Sequence, residues 1–145
     1  MSLGNRQALN SYKTVGAHAQ VAAADPYRLV QLLLANVIDR VAAARGHMER
    51  KEIARKGEQV SKAIEVLAAL DASLDLEKGG EIAANLRSLY EYMSVRLVNA
   101  NANNDLAGLD EVAALMRNIK EGWDGIAGTA RPDVAPTVSA AVHAP

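Results

Sequence analysis

The sequence predicts an all-α protein, an antiparallel four-helix bundle with a short N-terminal arm and a disordered C-terminal tail. Three observations carry that expectation. Half of the 145 residues are hydrophobic, yet the aromatics are only four Tyr and one Trp. A core drawn mainly from Ala, Leu and Val suits closely packed helices, since Ala and Leu are strong helix formers. Apolar residues also recur three or four apart through four successive stretches, the spacing of one helix face. Finally, the breaks between stretches are short. Helices of about 20 residues, each roughly 30 Å long, then fold back on one another as a bundle. The expected divisions are an arm over 1–24, a bundle over 25–127 and a tail over 128–145.

In the arm, Leu9, Tyr12 and Val15 fall three apart, too short a pattern to be stable alone. Asp25-Pro26 is a helix start: Asp25 can accept from orphan backbone N–H groups, and Pro26 suits the first helical position. The first helix is expected to run to about Arg45, with Gly46 as its stop. Its apolar band (Leu29, Val30, Leu32, Leu33, Leu34, Val37, Ile38, Val41) is wider than one seam requires. Such a helix either sits centrally or keeps part of its surface for a partner.

The following charged run, ERKEIARKGE, reads as a solvated helix face. The second seam is Ile53, Val60, Ile64, Leu67 and Leu70, ending near Ser73. Asp75 to Lys78 are expected to form a connection, and Gly79-Gly80 to open the third and longest helix. That helix repeats its apolar side at Ile82, Leu86, Leu89, Tyr90, Met93, Leu97 and Ala100. Tyr92 lies roughly 200° around from Tyr90, so one of the two must look away from the main seam.

The Asn101–Asp105 cluster ends the third helix and can cap the fourth. The fourth seam is Leu106, Leu109, Val112, Leu115, Met116, Ile119, Trp123 and Ile126, with Trp123 either a seam residue or a binding anchor. Beyond Gly128 come three of the four prolines and no sustained periodicity, the mark of a disordered segment.

Composition and motifs argue against several functions. With 16 basic and 17 acidic residues the net charge is −1, which offers nothing to neutralise a nucleic-acid backbone. Cysteine is absent, so disulfides, thiolate metal sites and c-type haem are out. The longest strongly apolar patch, Leu29 to Ala35, falls well short of a membrane span, and MSLGNRQALN does not resemble a secretory signal. A cytoplasmic protein without membrane insertion is expected. No Glu is followed three residues later by His, and no zinc-hydrolase motif occurs. His18, His47 and His143 fall in the arm, a turn and the tail, where solvent-exposed histidines are expected. No catalytic residue, metal or cofactor is indicated, and the chain does not read as an enzyme.

The ordered features resemble one family. Tyr12 in the arm, Asp25-Pro26-Tyr27-Arg28-Leu29, Ser61-Lys62-Ala63-Ile64 and Leu74-Asp75 precede Gly79-Gly80-Glu81-Ile82. Asn85-Leu86, Leu89-Tyr90-Glu91-Tyr92-Met93, Arg96-Leu97, Ala100-Asn101, Asn104-Asp105 and Trp123 follow. Together, over about residues 9 to 127, they resemble the flagellin-specific export chaperones of the FliS family.

The resemblance implies a cytosolic chaperone that holds flagellin through its C-terminal segment, prevents premature polymerisation and delivers the subunit to the flagellar type III export gate. The bound segment, disordered when free, would become helical along an apolar groove. The groove expected here comprises Leu29 and Leu33 on the first helix, Leu89, Tyr92 and Met93 on the third, and Trp123 at one end, with the Tyr12 arm lying over it. The competing class is a homo-oligomeric helical module with an unrelated partner, in which the wide apolar band buries against a second copy. Weak self-association is compatible with either class.

Overall fold

The computed structural model describes residues 25–126, so the expectations for the arm, Tyr12 included, and for the tail lie outside the described residues. Helix α1 (Pro26–Glu49) starts as its sequence dictates. Asp25 Oδ1 accepts from the N–H groups of Tyr27 at 3.1 Å and Arg28 at 3.3 Å. The helix does not stop at Gly46. It continues another turn and ends in a Schellman motif, with Glu52 N–H donating to His47 O and Lys51 N–H to Met48 O. Lys51 takes the left-handed position, φ 59°, that glycine usually fills. Gly46 therefore lies inside the helix. His47 lies inside it too, largely shielded, with Nδ1 2.7 Å from Glu52 Oε1, rather than in an open turn.

Helix α2 (Ile53–Ala72) ends where expected, at Ser73, whose Oγ donates to Leu70 O. Helix α3 (Leu76–Asn103) begins earlier than its glycines suggest. Asp75 caps it by accepting from Lys78 N–H at 3.0 Å, so the expected connection is its first turn. Gly80 then kinks the helix at φ 54°, ψ −132°, a conformation open essentially only to glycine. Asn104, at φ 52°, closes α3, and helix α4 (Leu106–Gly125) follows at once. Asp105 stands at the α4 N-cap position, but its carboxylate turns to Arg96 instead of capping.

Connections this short leave each helix antiparallel to the next, and α1 closes the ring by packing on α4. Each neighbouring pair is tied across its seam by one arginine. Arg40 reaches Gln59 from α1 to α2, and Arg87 reaches Asp71 from α3 to α2. Arg96 reaches Glu111 from α3 to α4, and Arg45 reaches Asp110 from α1 to α4. Exposed pairs of this kind contribute about 0–1 kcal/mol each, so they fix register more than stability.

Stability comes from the core. Val37, Ala63, Val66, Leu67, Leu86, Met93, Leu97, Leu109, Val112 and Met116 are fully enclosed. At roughly 1.5–3 kcal/mol per large side chain, their burial is the main favourable contribution.

Of the two third-helix tyrosines, Tyr90 faces inward and Tyr92 outward, as their spacing demands. The α1 band proves central: Leu29, Val30, Leu33, Leu34, Val37 and Val41 are buried, with Leu32 and Ile38 packed partly against them. On α2 the seam shifts by a turn. Ile53 is 70% exposed, while Lys56, read as part of a solvated face, is buried. Its ammonium donates to Asn101 O at 2.9 Å and to Asn104 Oδ1 at 2.5 Å. A cation thus meets the carbonyl-rich C-terminal end of α3, where the helix dipole favours positive charge.

Candidate functional site

Helix α3 carries the unusual surface. From Tyr92 to Ala102 its sequence, YMSVRLVNANA, contains a single charge, Arg96. Met93, Leu97 and Ala100 point into the core, which leaves Tyr92, Val95 and Val98 facing out at 46%, 60% and 54% exposure. These three follow one another at intervals of three, and Asn99 and Ala102 continue the same outward side. An outward helix face in a soluble domain is ordinarily charged or polar. This one is apolar.

The strip is held rigidly at its α4 side. Tyr92 Oη donates to Glu111 Oε2 at 2.5 Å, and Arg96 Nε donates to Glu111 Oε1 at 2.8 Å. Arg96 Nη1 also donates to Asp105 Oδ2 at 3.1 Å. The Arg96 guanidinium, and then the Tyr92 hydroxyl, hold the Glu111 carboxyl below the usual carboxylate range. The hydrogen bond to that anion raises the Tyr92 phenol in turn.

Gly108 makes the arrangement possible. A Cβ there would stand 2.8 Å from Ala100 Cβ and 3.1 Å from Arg96 Cζ. Its absence lets α4 approach α3 closely and leaves space for the guanidinium.

The residues expected to form a groove are not brought together on one surface. Leu33, Met93 and Trp123 are at most 2% exposed and Leu29 is 8% exposed. They belong to the core because α1 is covered by α2 and α4, and because Met93 lies in register with Leu86 and Leu97. Trp123 is a core residue at the bundle's end, not an anchor at its surface. Leu89 is half-buried against that core. Tyr92 alone of the described set stands outside it, and Tyr12 lies outside the described residues.

Val95 and Val98 were not among the expected residues, although a signal for them existed. They sit three and six positions after Tyr92, off the Leu86–Met93–Leu97 line, in a stretch almost without charge. A second apolar exposure lies just past the strip, at the C-terminal end of α3, where Met48, Ile53 and Leu106, with Glu49, Lys51 and Asn104, line an open recess of about 580 Å³.

Among the described residues no cluster of His, Asp or Glu could hold a metal, and no helix is long and apolar enough to cross a membrane. The geometry offers contact area rather than reactive groups.

Several known proteins resemble this chain over most of its length. The profile of the family described as flagellar protein FliS matches residues 8–130. The flagellar secretion chaperone FliSB of Pseudomonas aeruginosa is 51% identical over 120 residues, covering 83% of this chain and 95% of the relative. The flagellar secretion chaperone FliS of Vibrio cholerae is 39% identical, covering 83% and 89% of the two chains. That of Salmonella typhimurium is 40% identical, covering 81% and 88%.

Proposed function

The chain belongs to the FliS family, and from that membership we propose that it is a flagellar export chaperone whose apolar α3 face receives the C-terminal segment of flagellin. The family is one of chaperones, not enzymes. In this reading the protein holds flagellin in the cytoplasm, keeps it from polymerising and passes it to the export gate.

The observation that carries the reading is the exposed Tyr92–Val95–Val98 strip, three residues in line on one helix face. A partner segment that folds on binding spends about 2–5 kcal/mol on ordering and recovers it by burying 1,000–3,000 Å². A rigid apolar helix face suits such a segment, because the chaperone itself has little order left to gain. Tyr92 adds a large amphipathic side chain whose ring is fixed through Glu111.

The test is to add the purified chain to monomeric flagellin and follow filament growth by light scattering. Suppression that saturates at one chaperone per flagellin is expected. Filament growth at an unchanged rate with the chaperone in excess would contradict the proposal.

A further inference from the structure

We propose that residues 131–145 of this chain dock on the Tyr92–Val95–Val98 face as an internal occupant that flagellin must displace. The inference rests on the reading of that face given above. It draws on three further observations.

The first is the segment's own sequence, RPDVAPTVSAAVHAP. Val134, Val138 and Val142 recur every four residues, a short apolar ridge. Arg131 and Asp133 balance each other at its start, so no net charge from that pair would have to be desolvated.

The second is where the segment leaves the bundle. Tyr92 bonds to Glu111, which lies fifteen residues before Ile126 on α4. The strip therefore begins about 22 Å along the bundle from the point where α4 ends. The eight residues from Ile126 to Val134 span up to about 26 Å when extended, so Val134 can reach Tyr92. From Tyr92 to Val98 is about 9 Å along α3, and the eight residues from Val134 to Val142 cover about 12 Å even if helical. Because α4 is the neighbour of α3, the segment needs to cross no other helix. A tether this short gives an effective concentration in the mM range, enough for a weak contact to be populated.

The third is that the match to the family ends at residue 130. The segment thus lies beyond the part of the chain that the family profile covers. An internal occupant would keep the strip covered until a tighter ligand arrives, and would set a threshold for that ligand's affinity.

The chain has no cysteine, so Ser139→Cys provides a unique site for a nitroxide label in the full-length protein. Methyl NMR then reads which valines lie close to the label. Broadening of Val95 and Val98, absent for Leu76 at the far end of α3, is expected. It should be lost in a Val134→Asp/Val138→Asp/Val142→Asp variant. Adding a flagellin C-terminal peptide should restore the signals, and the triple variant should bind that peptide several-fold more tightly.

Unbroadened Val95 and Val98 would overturn the proposal. So would broadening that arises only from a label at Ser11→Cys in the arm, or only between labelled and unlabelled copies. Broadening from Ser139→Cys with no peptide binding by either form would uphold the docking and overturn the assignment of the face to flagellin instead.

Discussion

Tyr27 and Trp123 hold each other by a reciprocal pair of hydrogen bonds. The Tyr27 hydroxyl donates to Trp123 O at 2.6 Å, and Trp123 Nε1–H donates to Tyr27 O at 3.0 Å. Their rings stack with centroids 4.8 Å apart. The start of α1 and the end of α4 are therefore clasped, and the ring of helices is closed at the end from which both chain termini depart.

Breaking the clasp should be costly. Trp123→Ala removes the largest buried side chain, and a loss of about 3–5 kcal/mol is expected. Tyr27→Phe keeps the stacking and leaves Trp123 O accepting from the Ile126 N–H, for a smaller loss of about 0.5–1.5 kcal/mol. Urea unfolding followed by circular dichroism measures both. Equal losses would mean that the hydroxyl, not the indole, carries the contact.

Gly108 should tolerate no side chain. Gly108→Ala places a methyl against Ala100 and Arg96, and overpacking of about 1–3 kcal/mol is expected. Arg96 would also be displaced from Glu111, so exchange of the amides flanking the α3–α4 turn should accelerate. A neutral or stabilising substitution would show that the helices can separate freely there.

Lys56→Met should cost about 1.5–3 kcal/mol, because the carbonyl of Asn101 loses a charged donor in a buried setting. Hydrogen exchange is expected to place the loosening at the last turn of α3. A uniform change over all four helices would contradict this local role.

The Glu111 network gives acid sensitivity. The folded carboxyl is held below its ordinary value of 4.5, so on acidification the unfolded chain takes up the proton first. The stabilisation is complete above that value and is lost as pH falls through the lower, folded one. Accordingly, the stability gap between the native chain and Glu111→Gln should be widest near about pH 6 and shrink toward about pH 3. A gap independent of pH would show that Glu111 acts by shape alone.

The fold was legible in the sequence because its signals are local and repeated. The seams of α3 and α4 could be read from their spacing, and Asp25-Pro26 and the Asn104-Asp105 turn marked true boundaries. Glycine misled twice. Gly46 lies within a helix because Lys51 takes the left-handed position, and Gly80 kinks α3 instead of opening it.

The site was less legible because core and surface apolar residues look alike until the neighbours of each helix are known. Leu33 and Met93 are core because α1 has partners on both flanks and because Met93 lies on the inward line of α3. Val95 is surface only because no helix covers that side of α3. Tyr92 could be placed, since a tyrosine two residues from a buried one must face elsewhere.

The proposed seating of flagellin on the outward side of α3 makes a direct demand on Val95. Titration calorimetry of the native chain and of Val95→Asp with a flagellin C-terminal peptide tests it most directly. Val95 is 60% exposed and makes no polar contact that Asp would break, so the variant should unfold at nearly the same urea concentration. One-to-one binding with a negative heat-capacity change is predicted for the native chain, weakened at least about tenfold by a charge placed in the apolar contact. Equal affinity in the two proteins would contradict the claim and move the flagellin site off α3.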